Sequence, residues 1–256
     1  MYSDDLDKYM ENSPRIRRVD VPIFGVGNSD SKFTVMIKRG GKTYFHTAYE
    51  GWRLILARCY KERDLARFPT YSGCYVCDEW LSFMGFYKWW KVHFIRGYQL
   101  DKDILSIGNK IYSPDHCLYI PGWLNTFAAS VKSKNSDLPT GVTFVKGKYR
   151  ARIAIDRKVI WLGEHDSAED AHDAWLKKKI EVALSYKPFC DSIHPLLHDG
   201  LMKKVLSMRR LNVTDNSTSS DLRWQPLPSP PATHHPIDTT PNQYDALGKG
   251  ERKWAR

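Results

Sequence analysis

Residues 98–127 read YQLDKDILSIGNKIYSPDHCLYIPGWLNTF. The pattern is strand, turn, strand, helix. YQLDKDIL forms the first strand and SIGN the turn, with Gly108-Asn109 in hairpin position. HCLYIP forms the second strand. Pro121 ends it, and GWLNTFAAS opens a helix. In such a ββα unit the end of the first strand faces the start of the helix, so Asp101 and Asn125 are expected to approach each other. One carboxylate and one amide oxygen are hard ligands suited to Mg²⁺ or Mn²⁺, ions that take few protein carboxylates and leave room for water and phosphate oxygens. Asp103, two residues beyond Asp101, is expected on the same strand face as a second ligand or a base. His116 enters the second strand as another candidate base, or as a surface histidine. The bland reading is that Asp101 and Asp103 cap a hairpin and Asn125 caps a helix.

With RCY and VCDEWLSF before them, the blocks LDKDIL, GN, YSP, C, IP and LN resemble, in this order, the HNH endonucleases encoded by bacteriophages, many of them homing enzymes. The resemblance runs from about residue 44 to 127. It implies that Asp101 is a metal ligand, Asn109 a structural turn residue and Asn125 the helix ligand. It also implies that Lys102 stands where such enzymes carry the histidine that acts as general base. A lysine keeps its proton at neutral pH, so it is a poor base unless strongly perturbed. Proton removal from a metal-bound water then falls to Asp103, His116 or solvent, and Lys102 could contact the scissile phosphate.

Downstream, residues 138–184 split by charge. Lys146, Lys148, Arg150, Arg152, Arg157 and Lys158 face only Asp156 across 140–163, whereas 164–173 hold five acids and no base. A basic β stretch therefore precedes a helix with acidic first turns, which suits the helix dipole, with Ser167 as N-cap. Tyr149, Ala151, Ile153 and Ile155 alternate onto one strand face, leaving Arg150, Arg152 and Ala154 on the other. In the next strand Ile160 and Leu162 point inward, and Val159 and Trp161 outward. The exposed face then carries two arginines and a tryptophan. A basic strand surface can enter the major groove of duplex DNA, with the flanking lysines on phosphates. Gly141-Val142, Tyr149-Arg150-Ala151, Trp161-Leu162-Gly163 and Glu169-Asp170-Ala171 resemble the plant ethylene-response-factor (APETALA-type) domain, also found in phage homing enzymes. That resemblance implies double-stranded DNA as partner. Plant members carry several arginines on the first strand, where this chain has Thr143 and Val145.

Composition agrees. The 256 residues hold 39 Lys+Arg against 29 Asp+Glu, a net charge of +10 that favours polyanions. The charges of 212–256 cancel, so the surplus lies upstream. No apolar run approaches the ~18 residues of a membrane helix, and the acidic start lacks the layout of a secretion signal. No membrane association is expected. The cytoplasm, for a phage protein that of the infected bacterium, is the expected compartment. Cys74 and Cys77 form a lone C-x-x-C without a second tight Cys/His pair, so buried reduced thiols are expected rather than zinc.

The expected architecture is α+β. A loose polar arm covers 1–18, and a ββα-metal nuclease domain covers 19–136, with its finger at about 98–130. A three-stranded antiparallel sheet plus helix, the DNA-binding domain, spans 138–184, and a helical extension spans 185–211. A disordered Pro/Ser/Thr-rich tail spans 212–256. Within the nuclease domain, KFTVMIKRGGKTYFHTAY reads as a hairpin and YEGWRLILARCYKE as a helix. DEWLSFMGFYKWWKVHF reads as a second, aromatic helix. Its Trp80, Phe83, Phe86, Tyr87 and Trp90 stripe is read as packed core in preference to a base-stacking surface. The functional expectation is a monomeric, metal-dependent DNA endonuclease. The alternative is a non-catalytic, regulatory DNA-binding protein with a degenerate finger, and an RNA-binding or virion role is weakest.

Overall fold

The computed structural model describes residues 3–15, 21–129 and 138–209. The tail expected at 212–256, and the ends of the segments expected at 98–130 and 185–211, lie outside the described residues.

The first element corrects the sequence reading. Part of the supposed loose arm is helix α1 (Ser3–Glu11), whose Met10 is fully buried. Asp7 Oδ1 accepts the Thr47 amide at 2.9 Å. Glu11 Oε1 accepts the Tyr87 hydroxyl at 2.6 Å and lies 3.2 Å from His46 Nε2. Burial pushes the Glu11 carboxyl up, but its bonds to Tyr87 and His46 outweigh this and hold its pKa below the usual value. Acids that look solvated in sequence are here partners of the aromatic core.

The expected hairpin is present. Strands β1 (Met36–Arg39) and β2 (Lys42–Phe45) pair antiparallel through Gly40-Gly41, both at positive φ, the conformation glycine reaches without strain. Helices α2 (Thr47–Tyr60) and α3 (Glu62–Arg67) follow, then strand β3 (Tyr75–Val76). The single aromatic helix expected next is two: α4 (Asp78–Leu81) and α5 (Phe83–His93). Ser82 breaks it, because its hydroxyl caps α5 by accepting Gly85 N–H at 3.1 Å while donating to Asp30 at 2.6 Å. Trp80, Phe83, Phe86, Tyr87 and Trp90 are all buried, so the stripe is core. Trp52 Nε1 donates to the Trp80 carbonyl at 2.7 Å, joining α2 to α4.

The finger consists of β4 (Tyr98–Asp101), β5 (Ile111–Tyr112), β6 (Leu118–Pro121) and α6 (Gly122–Ala128). Strands β4 and β6 pair antiparallel, with Asp101 opposite Leu118, while β5 runs parallel to β3. Next come β7 (Val142–Val145), β8 (Lys148–Ile155) and β9 (Lys158–His165), one antiparallel sheet in that order, then α7 (Ala168–Ser185). Ser167 caps α7 by accepting the Asp170 amide at 3.0 Å. Helices α8 (Lys187–Ile193) and α9 (Leu197–Leu206) close the described chain. The fold is α+β with small sheets.

One hydrophobic cluster unites α2, α4 and α5 with β3 and β5. A second crosses the boundary drawn in sequence. Ile104, Ile120, Leu124 and Phe127 of the finger region pack with Trp175, Leu176 and Ala183 of α7 and Leu197, Leu201 and Val205 of α9. Leu196, the N-cap of α9, and Leu206 at its end are exposed. His198 of α9 is buried against the Ala183 carbonyl at 3.2 Å.

Lys179 of α7 sits inside this cluster, only 6% exposed. Its ammonium lies 4.6 Å from the Phe127 ring centre and 5.0 Å from that of Trp175. Burial pulls its pKa down to about 8. The unfolded chain binds this proton more tightly, so Lys179 weakens folding below pH 8, and the cost fades as pH rises towards 10. Lys179→Met should stabilise the protein at pH 7 by on the order of 2 kcal/mol. Urea denaturation at pH 7 and pH 10 should show that gain shrinking.

Two glycines give a contrasting test. Gly51 within α2 has open space where a Cβ would stand, so Gly51→Ala should stabilise by roughly 0.5–1 kcal/mol. A Cβ on Gly200 of α9 would lie 2.0 Å from the Ile104 carbonyl oxygen. Gly200→Ala should therefore destabilise by about 2 kcal/mol or more, the reverse of helix propensity. Equal responses in thermal melts would refute this packing.

Candidate functional site

The finger loop is organised by backbone capture. Asp101 closes β4, and its Oδ1 accepts the amides of Asp103 at 2.9 Å and Ile104 at 2.6 Å. Asp103 therefore lies beyond the strand, in the turn, and not on the Asp101 strand face as expected. Asn109 knots the far side: its Nδ2 donates to the carbonyls of Lys102 and Ile111, both at 2.7 Å, and its Oδ1 accepts the Ile111 amide at 3.1 Å. Lys102 is buried and its Nζ donates to the Asn109 carbonyl at 2.6 Å. The side chain at the expected base position thus staples the loop.

His116 precedes β6 in a turn instead of entering the strand, with Nδ1 2.8 Å from Ser113 Oγ. Asn125, on α6, donates Nδ2 to Gln99 Oε1 at 3.1 Å. Gln99 and Asp101 share a face of β4, about 7 Å apart along the strand. Gln99 was not singled out by the sequence pattern, although its i, i+2 relation to Asp101 was there to find.

A residue far away in sequence completes the cluster. Lys204 of α9 donates Nζ to Asp103 Oδ1 at 2.8 Å, and Lys102 Nζ stands 3.7 Å from Asp103 Oδ2. Burial raises the Asp103 carboxyl, but the bond and charge of Lys204, with Lys102, outweigh it and hold its pKa below the ordinary value. Asp101 goes the other way. Burial pushes its pKa up and the nearby Asp103 charge adds to this, against the pull of Lys204.

Whether a divalent ion suits these residues turns on which oxygens stay uncommitted. Asp101 commits Oδ1 to two amides and Asn125 commits its nitrogen to Gln99. The remaining carboxylate oxygen and amide oxygen are hard donors of the type Mg²⁺ and Mn²⁺ take. The donor chemistry fits, with Asp101, only 8% exposed, as the more enclosed member. The thiols are different. Burial pushes the Cys59 and Cys117 thiols up to about 12, so both rest protonated.

The second constellation lies on the sheet. Thr143, Val145, Arg150, Arg152, Val159 and Trp161 line one hollow on the face opposite α7. The alternation expected for β8 and for Val159 to Leu162 is present. A β-bulge then intervenes: Ala151 pairs with Gly163 but Arg152 pairs with Trp161, so β9 carries one extra residue. Beyond it Glu164 stands opposite Arg150, bonded to its guanidinium at 2.8 and 2.9 Å. The Arg150 guanidinium also lies 5.6 Å from the Trp161 ring centre. Arg150 is thereby held in place, and the face is less basic than strict alternation implied. Arg152 is exposed on the same face.

Lys146 in the β7–β8 turn and Lys148 lie at one end of the sheet, Lys148 bonded to Asp166. Arg157 in the β8–β9 turn and Lys158 lie at the other, ~23 Å away along β8. The structure thus brings Arg150, Arg152 and Trp161 together and sets the remaining cations at the margins.

Comparison with family models, curated proteins and solved structures finds no match to this chain. No helix among the described residues is long and apolar enough to cross a membrane.

Lys204→Met should leave Asp103 without its closest cation and destabilise by about 1 kcal/mol, modest because Asp103 is partly solvated. Combining it with Asp103→Asn should recover part of the loss in urea denaturation. Strict additivity of the two substitutions would refute the pairing.

Proposed function

We propose that this chain is a duplex-DNA endonuclease of the HNH type, in which the β7–β9 sheet grips the double helix and the ββα finger cuts. The DNA half rests above all on the hollow with Arg150, Arg152 and Trp161 at its centre. Guanidinium groups there suit guanine edges and phosphates. Thr143, Val145 and Val159 offer methyl groups to thymine. Cations at both ends of the sheet match the run of phosphates flanking a groove. The Arg150–Glu164 pair is partly solvated and weak enough for a phosphate to compete for the guanidinium.

The cutting half is supported by the β4–β6–α6 order, with Asp101 at the strand end and Asn125 on the helix. These two would hold a divalent ion. Such an ion stabilises charge on a scissile phosphate and on its leaving oxygen. Asp101 is kept in register by the amides it caps, Asn125 by Gln99, and the loop by Asn109 and Lys102. If Ser113 accepts from Nδ1, His116 presents Nε2 as the nearby atom able to take a proton.

A second reading, a DNA-binding protein whose finger no longer cuts, is favoured by one observation. Lys102, at the expected base position, is buried and bonded to the Asn109 carbonyl.

A nicking assay on plasmid or phage DNA with Mg²⁺ or Mn²⁺, run beside gel retardation, separates the two readings. Asp101→Ala should abolish nicking yet retard DNA like the wild type. Arg150→Ala with Arg152→Ala should weaken retardation roughly 10- to 100-fold without lowering the melting temperature. Retardation without nicking by the wild type would select the second reading. Wild-type retardation in the double arginine variant would rule out the sheet face.

A further inference from the structure

The β1–β2 hairpin stands out because, of its two strands, only Phe45 packs against a core. Apart from Ile37 and Phe45, every residue of its two strands is exposed. A two-stranded ribbon is marginal in water by itself, and exposing both faces adds little stability. Its turn projects freely, with no atom within 4 Å of where a Cβ on Gly40 or Gly41 would stand.

Its charge is one-sided. From Ser31 to Tyr49 there is no acid, while Lys32, Lys38, Arg39 and Lys42 all fall within it. Register places Arg39 directly opposite Lys42, a like-charge pair that weakens a hairpin in isolation. Lys38 stands on the other face, opposite Thr43. Among the described residues Lys38 and Lys42 have no ion-pair partner. Arg53 of α2 adds a guanidinium 4.8 Å over the Phe45 ring centre, on the Lys38 face, with a buried Nε that finds no acceptor among the described residues. Asp5 and Leu6 of α1 border the opposite face, beside Arg39 and Tyr44.

Like charges held together on a projecting ribbon, next to an arginine whose Nε has no acceptor among the described residues, call for a polyanion. We infer that the β1–β2 hairpin is a second DNA-binding element, separate from the β7–β9 sheet, which lays Lys38, Lys42 and Arg53 against the phosphates of a duplex groove. The major groove admits a two-stranded β-ribbon, and cations on both ribbon faces can meet phosphates on both walls. The glycine turn lets backbone approach closely where a side chain would intervene. The inference rests on duplex DNA being the partner, and deepens that reading by adding a contact remote in sequence from the sheet.

The test is duplex binding by fluorescence anisotropy across a range of KCl concentrations. Full-length wild type, Lys38→Ala/Lys42→Ala, Lys38→Arg/Lys42→Arg and Arg150→Ala/Arg152→Ala are compared. Losing two phosphate contacts should reduce the salt-dependence slope by about 2 and lower affinity roughly tenfold near 0.1 M salt. The arginine pair should bind like the wild type. An unchanged slope and affinity in the alanine pair, with the wild type binding, would overturn the hairpin proposal and leave the sheet reading intact. The opposite result, sensitivity at Lys38 and Lys42 but none at Arg150 and Arg152, supports the hairpin while removing the sheet. A wild type that does not bind duplex overturns both.

Discussion

Where α9 crosses the finger loop, Gly200 meets the backbone carbonyl of Ile104 with no room for a side chain between them. The rest of the finger depends on that approach. It lets α9 lie flat enough for Leu197, Leu201 and Val205 to reach Ile104, Leu124 and Phe127 in a shared core. It also brings Lys204, one turn on, to Asp103. The loop carrying Asp101, Lys102 and Asp103 is thus fixed on one side by its own amides and on the other by a helix about a hundred residues downstream.

The same cluster explains why the two carboxyl groups behave oppositely. Asp103 lies between two lysines, and their attraction exceeds the cost of its burial. Asp101 is more enclosed and its neighbours balance less favourably, so burial dominates and raises its pKa. Two acids two residues apart therefore have different chemistry: one is locked in ion pairs, and the other is a carboxylate that a further cation would stabilise.

On the sheet, one inserted residue changes the electrostatics. The bulge near Leu162 swings Glu164 onto the face that carries Arg150. The result is a braced arginine beside Trp161 rather than two free cations. Bracing costs net charge but orients the guanidinium, and orientation is what edge recognition in a groove requires. The β1–β2 ribbon shows the contrary arrangement, with lysines unpaired among the described residues and a bare turn.

Much of this was legible in the sequence because it follows from local rules. Paired glycines set the first hairpin, the two-residue side-chain period put Arg150, Arg152 and Trp161 on one face, and Ser167 marked the start of α7. Helical spacing identified the Trp80 to Trp90 stripe as core. The pattern of residues 98–127 laid out strand, strand and helix in the right order, but the first strand stops at Asp101 and Gly108-Asn109 does not join paired strands, because β5 intervenes and pairs with β3. Properties that depend on distant partners were not legible. The docking of α1 through Asp7 and Glu11, the break at Ser82 set by Asp30, the burial of His198 and Lys179, and the bridge from Lys204 to Asp103 all join segments whose separation leaves no local periodic signal. Local rules carry the α+β class, the Gly40-Gly41 turn, the alternation of β8 and the surplus of positive charge, because propensity, alternation and composition act over a few residues. Which of those charges are paired, and which acid is enclosed, followed from the packing of distant segments, because burial and Coulomb attraction depend on what folds alongside.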